Sequence, residues 1–192
     1  MRGTLALTLF ACLLATPALA EERKVVAQRA DCSISVGDKD DGGRNLVLAD
    51  CKWPLAAAKV IAAVKAVDKH DDYLSSVGES TVLADGRVLQ IHQAGGISDR
   101  QITLSFTNKD LPDGGFITSW TRAEKQEPLR DGVVDAPLDD GSWEVHPDGT
   151  SSKVTYRLRY DAGGKVPNWL VQSFQKGGIA DIVEEMREAA SK

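Results

Sequence analysis

Lys153-Val-Thr-Tyr-Arg-Leu-Arg-Tyr-Asp161, followed by Ala162-Gly-Gly-Lys-Val-Pro167 and Asn168-Trp-Leu-Val-Gln-Ser-Phe174, is the stretch on which the fold turns. Its first part alternates. Val154, Tyr156, Leu158 and Tyr160 fall on one side, and Thr155, Arg157 and Arg159 on the other. Successive strand side chains point to opposite faces, so this is a strand with one apolar and one polar face. Glycines end it, and Pro167 suits the opening of a helix. In that helix Trp169, Leu170 and Phe174 form one apolar stripe, and Ile179, Ile182, Val183 and Met186 form a second. At 3.6 residues per turn the stripes are out of phase by about half a turn. Gly177-Gly178 lies between them, which predicts a kink or break.

The same alternation extends upstream. Residues 87–93 offer Leu89 and Ile91, and residues 101–107 offer Ile102, Leu104 and Phe106. Residues 116–122 place Phe116, Thr118 and Trp120 together, and residues 142–146 pair Trp143 with Val145. On these phases His92, with Val88 and Gln90, points outward, as do Glu144 and His146. Asp85-Gly86, Gly95-Gly96, Asp113-Gly114-Gly115, Asp140-Gly141 and Asp148-Gly149 read as turns between the strands. The pattern is that of an antiparallel sheet covered on one side only.

Before the sheet, the alanine-rich residues 55–67 predict a helix opened by Pro54, with Leu55, Ala58, Ile61, Ala62 and Lys65 on one stripe. Polar His70-Asp-Asp-Tyr73 follows. Earlier still, Cys32-Ser-Ile-Ser-Val36 and Asn45-Leu-Val-Leu-Ala-Asp-Cys51 flank the turn Gly37-Asp-Lys-Asp-Asp-Gly-Gly43. A hairpin centred between Asp41 and Gly42 sets Cys32 opposite Cys51, Ile34 opposite Ala49 and Val36 opposite Val47. A Cys32–Cys51 disulfide is then within reach, the alternative being two reduced thiols at one end of the hairpin. The architecture is α+β: a hairpin, a helix, an antiparallel meander and a long terminal helix whose apolar face covers the sheet.

The N-terminus carries Met1-Arg2, an apolar run over residues 5–14 and the small-residue site Ala18-Leu-Ala20, the pattern of a secretory signal peptide cleaved after Ala20. The run is shorter than the roughly 20 residues a bilayer span needs. Leu9-Phe-Ala-Cys12 loosely resembles a lipobox, but Cys12 comes early and the chain stays apolar after it. The expected organisation is a signal at 1–20 and one domain over 21–192, exported to a bacterial periplasm, where disulfides form. A eukaryotic secretory route is the alternative. Loss of Arg2 leaves 22 basic against 28 acidic residues, a formal charge of −6. With no basic run, nucleic acid is not an expected partner. Asp38-Lys-Asp-Asp-Gly-Gly43 lacks the third carboxylate and closing Glu of a calcium loop and reads as a turn. His70, His92 and His146 lack zinc spacing, so no metal and no cofactor are expected.

From Cys32 to Ala190 the order of elements resembles a START domain, the lipid-binding module with a helix-grip fold. The likeness rests on Ile97-Ser-Asp-Arg100, Gly141-Ser-Trp-Glu-Val-His-Pro147, Ser152-Lys-Val-Thr-Tyr156 and the run from Asp161 to Leu170, with His70-Asp-Asp-Tyr73 where the family often has a Trp-Asp pair. Two departures stand out. Gln101 replaces the family's usual acid after the arginine, and the central strands lack the Glu and Arg of some sterol-binding members. The resemblance implies a lipid or other apolar small molecule as partner, not a sterol specifically.

It also implies an internal tunnel, and the inward faces supply a wall: Leu89, Ile91, Ile102, Leu104, Phe106, Trp120, Trp143, Tyr156 and Leu158, with Trp169 and Phe174 from the helix. At about 0.8 kcal/mol per methylene, a sixteen-carbon tail contributes about 10 kcal/mol before ordering costs. Arg100 is expected either to pair with an acidic side chain, locking strand to helix, or to meet a headgroup. The leading expectation is a noncatalytic monomeric carrier that touches membranes transiently, its ligand admitted by movement near Gly95-Gly96 or Gly177-Gly178. One alternative is a cyclase- or hydrolase-like enzyme, for which Glu144 or His146 with Tyr156 would supply acid–base groups. The other is an envelope interaction module.

Overall fold

A computed structural model describes residues 23–29 and 31–192. The expected signal segment, residues 1–20, lies outside the described residues. Ten strands form one sheet: β1 (Lys24–Arg29), β2 (Cys32–Lys39), β3 (Asn45–Trp53), β4 (Val77–Val82), β5 (Val88–His92), β6 (Arg100–Asp110), β7 (Phe116–Arg122), β8 (Val134–Asp135), β9 (Leu138–Asp148) and β10 (Ser151–Asp161). Their order across the sheet is β1-β2-β3-β10-β9-β7-β6-β5-β4, with β8 added parallel to β6. All other pairings are antiparallel. β10 thus reaches back to the opening hairpin and joins it to the meander.

The hairpin register is the one anticipated: Cys32 faces Cys51, Ile34 faces Ala49 and Val36 faces Val47. Cys32 and Cys51 form a disulfide. Closing a loop of sequence separation 19 restricts the unfolded chain by about 3 kcal/mol. Replacing both cysteines by serine is therefore expected to lower the unfolding free energy by about that amount in urea titrations. An unfolding midpoint indifferent to the substitution would show that the bridge adds nothing.

Two turn assignments part company. Asp148-Gly149 is a true hairpin turn, with Gly149 at φ 66° and Asp148 paired to Ser151. Asp140-Gly141, expected to be a turn, lies inside β9. Gly141 is there because the Trp120 ring lies against it, and a Cβ would also meet the Arg157 carbonyl at 2.6 Å.

The helix α1 spans Ala57–Lys65 and buries Ala57, Val60, Ala63 and Val64. The stripe expected from Leu55, Ala58, Ile61, Ala62 and Lys65 is corrected by one step. Alanine at most positions gives little contrast between faces, and the β-branched pair Val60 and Val64 sets the phase. Lys65 instead stands 4.1 Å over the Phe116 ring, a cation–π contact. A 3₁₀ turn (Val67–Lys69) leads into the short helix α2 (His70–Tyr73).

The terminal helix has three parts: α3 (Asn168–Ser173), a π-helical turn (Phe174–Gly178) and α4 (Ile179–Ser191). The mismatched stripes find their cause here. A π turn takes up an extra residue and so rotates everything after it by roughly 100°. Gly178 is needed because its Cβ would meet the Phe174 ring at 2.6 Å, whereas Gly177 faces open space. α4 buries Ile179, Ile182, Val183 and Met186 against the sheet and α1. No helix among the described residues is long and apolar enough to cross a membrane.

One region of the outer face is also covered. The segment 123–137 runs over β5 and β6, where Gln126 bonds both backbone groups of Thr103, at 2.7 and 2.8 Å. The Gln101 side chain donates to the Glu127 and Pro128 carbonyls. Leu89 and Ile91, paired with Thr103 and Gln101, share that covered side.

Candidate functional site

A pocket of about 500 Å³ lies between the inner face of the sheet, α2 and the terminal helix. Its size is within the range of about 300–1,000 Å³ typical of small-molecule sites. From the expected wall it contains Leu104, Phe106, Trp120, Trp143, Tyr156, Leu158 and Phe174. Rings run in contact along it: Phe106 to Trp120 at 5.8 Å, Trp120 to Tyr156 at 6.0 Å and Trp143 to Tyr156 at 4.4 Å.

Four expected residues lie elsewhere. Leu89 and Ile91 point to the covered outer side, and their neighbours Gln90 and His92 face the pocket, so the phase of β5 is the reverse of the one anticipated. Ile102 is fully buried in the core without lining the pocket. Trp169 is 67% exposed, because Leu170 and Phe174, four residues apart, take the inner side of the helix.

Arg100 lines the pocket and is 4% exposed. Its partners are backbone oxygens, not a carboxylate: Nε donates to Ala162 O at 3.0 Å and Nη1 to Ser98 O. It therefore ties the start of β6 to the chain after β10.

Within this aromatic lining lies a polar chain that the sequence did not announce. Ser80 Oγ donates to Val67 O at 2.6 Å. Gln90 Nε2 reaches Ser80 Oγ at 3.0 Å and His70 Nδ1 at 3.3 Å, while Gln90 Oε1 meets His92 Nε2 at 3.0 Å. His92 Nδ1 meets Tyr160 Oη at 3.2 Å. Asp139 accepts from Trp120 Nε1 at 2.6 Å and stands 3.7 Å from His92 Nε2. The signal for Gln90 and His92 was their shared spacing of two on β5. Asp139 was masked by reading its neighbourhood as a turn.

Burial governs the protonation of this set. It lowers the His70 and His92 pKa values to about 4, with Asp68 and Asp71 opposing the shift at His70 and His70 adding to it at His92. It raises the Asp139 pKa to about 7 against the pull of the Trp120 hydrogen bond, and pushes both Tyr156 and Tyr160 up. The His92–Asp139 contact is thus not an ion pair at neutral pH despite its distance. Both groups are uncharged between about pH 4 and 7.

Glu144 and His146 sit outside the pocket. His146 Nδ1 is 2.6 Å from Asp113 and Nε2 2.7 Å from Glu144, and these two carboxylates raise its pKa. Among the described residues, no group of three or more His, Cys, Asp or Glu side chains is placed to hold a metal ion.

A curved antiparallel sheet closed over a long C-terminal helix, with a pocket between them, defines the helix-grip class. Among solved structures the chain is similar to human StAR-related lipid transfer protein 5, at 16% identity and TM-score 0.82, covering 91% of this chain and 88% of that one. It is also similar to a STAR-related lipid transfer protein fragment from Xanthomonas axonopodis, at 19% identity and TM-score 0.79, covering 88% and 99%. The fold is therefore that of a START domain. No family model matches the sequence. An uncharacterized protein of Pseudomonas aeruginosa, PA1579, is 27% identical over 97 residues, a stretch spanning about half of each chain (50% of this one, 48% of that one).

Proposed function

We propose that this chain is an exported, monomeric carrier, one START-like domain over residues 21–192, that holds a lipid or similar apolar molecule between sheet and helix. The observation that carries the reading is the pocket of about 500 Å³ walled by Leu104, Phe106, Trp120, Trp143, Tyr156, Leu158 and Phe174. Burying an alkyl chain there is favourable by about 0.8 kcal/mol per methylene and needs no catalytic group. The Cys32–Cys51 disulfide supports an oxidising compartment, read here as the periplasm, with contact to membranes limited to loading and release. Nucleic acid has no place in this reading.

Native mass spectrometry of the protein purified from the periplasm tests it. A bound apolar molecule, and an intact mass lacking the first twenty residues, are the expected results. Absence of any such molecule, together with no uptake of alkanes or labelled lipids, would overturn the carrier reading.

One observation favours a second reading. Asp139, with its raised pKa, lies beside His92 in the pocket, an arrangement suited to moving a proton on a bound substrate. Recovery of the bound molecule chemically unchanged after prolonged incubation separates carriage from turnover.

A further inference from the structure

Arg100 carries a charge that its surroundings do not balance. It is 4% exposed and lines the pocket, and its bonds run to the carbonyls of Ala162 and Ser98. Among the described residues no carboxylate pairs with it. Those two bonds use Nε and Nη1, so the protons of Nη2 have no acceptor among the described residues. The buried, unpaired side-chain atoms that are sealed off belong to Trp53, His70, Thr118 and Ser152. Arg100 Nη2 is not one of them, so it keeps open space in front of it, on a side chain that lines the pocket. A guanidinium stays charged at any ordinary pH, and a buried charge without a counter-ion is costly. An anionic acceptor carried by the ligand relieves that cost.

The acids on the lining already have partners. Asp181 pairs with Arg29 at 3.2 Å and is half exposed, and Glu185 accepts the Ser75 backbone N–H at 3.0 Å. Asp139 accepts from Trp120 Nε1, and burial keeps it protonated up to about pH 7. Among the described residues Arg100 is the one Lys or Arg on the lining. It opens β6, and Leu104 and Phe106 follow on the same face, so the apolar wall extends about 20 Å from the cation. A cation at one end of an apolar wall matches a chain with one anionic end. A planar carboxylate fits the guanidinium fork, whereas a phosphate monoester would bring a second charge with no second cation to meet it. We infer that the pocket takes single-chain amphiphiles ending in a carboxylate, long-chain fatty acids by chemical class, whose head accepts from Arg100 Nη2. This rests on the carrier reading and narrows its ligand class.

The test loads the full-length mature protein at pH 6, above the ordinary carboxyl range and below the value at which Asp139 ionises. Four sixteen-carbon probes are offered from cyclodextrin: hexadecanol, hexadecanoate, hexadecyl phosphate and hexadecylammonium. Bound probe is extracted and quantified by mass spectrometry, each value corrected for affinity to cyclodextrin. Hexadecanoate should be held about tenfold or more over hexadecanol, the worth of one charge-assisted hydrogen bond. The phosphate and the ammonium should fall below hexadecanoate. Arg100→Lys should keep part of the preference, and Arg100→Met should still take up hexadecanol but lose it. In wild-type protein carrying nitrogen-15 arginine, hexadecanoate should shift the Arg100 guanidinium resonance and hexadecanol should not, a readout that does not depend on a variant folding. Hexadecanol held as well as hexadecanoate, a preference for the phosphate or ammonium, a preference that survives Arg100→Met, or an Arg100 resonance indifferent to the carboxylate would each overturn the inference while leaving the carrier standing. Uptake of none of the four would remove both.

Discussion

Asp139→Asn is expected to make the protein more stable near pH 8 while changing little near pH 4. The Asp139 carboxyl keeps its proton up to about pH 7 when folded but titrates near 3.8 when exposed. Between those values the unfolded chain releases a proton that the folded chain retains, so stability falls as pH rises. The slope is about 1.4 kcal/mol per pH unit for this one group. Its contribution is fully present below pH 3.8 and is lost by the time pH passes 7. Asparagine keeps an oxygen for the Trp120 Nε1 bond and has no charge to desolvate. The gap between variant and wild type should therefore open to a few kcal/mol across that window. Urea titrations near pH 4, 6 and 8 measure it, and a gap independent of pH would mean that Asp139 is not held neutral by burial.

Trp143→Ala is expected to cost about 3–5 kcal/mol, the usual penalty for emptying a buried aromatic site. Trp143 is 2% exposed, packs 4.4 Å from the Tyr156 ring and 6.3 Å from that of Trp53, and stands where β9 meets both core and pocket. Neither neighbour can swing in to fill the space, since Trp53 is fully buried and Tyr156 is held between Trp143 and Trp120. For a chain of this length each kcal/mol moves the melting temperature by about 2–4 °C. A fall of about 6–20 °C follows, read by calorimetry. A fall of only a degree or two would show that the wall repacks.

Much of this arrangement was legible because one physical rule applied at a time. Along β7, β9 and β10 an apolar face meets the core and the other face is more open to water, so alternation put Trp120, Trp143 and Tyr156 on the inner face. Leu104 of β6 follows the same phase although segment 123–137 covers the polar side there. The hairpin register followed from two cysteines equidistant from a glycine-rich turn. The rule failed on β5, where segment 123–137 buries the outer side and the pocket side carries Gln90 and His92. Hydrophobicity there marked the wrong face. It failed on α1 because alanine carries almost no phase, and at Trp169 because size was taken for burial. His70 escaped notice because it opens a four-residue helix in a polar run, and only the tertiary fold brings Gln90 to it.

The double cover on β5 has a consequence for how this chain can vary. Val88, Leu89, Gln90 and Ile91 are all buried and His92 nearly so, on a strand flanked by β4 and β6. Along β7, β9 and β10 every second position is at least partly open to water and free to drift between polar residues at little penalty. Here no position has that freedom: an acid or base on one side would be sealed beneath segment 123–137, and on the other it would be set into the pocket. These five residues, with Arg100–Leu104 of β6 beneath the same segment, should therefore be the stretches least tolerant of substitution, despite looking like ordinary polar–apolar strands.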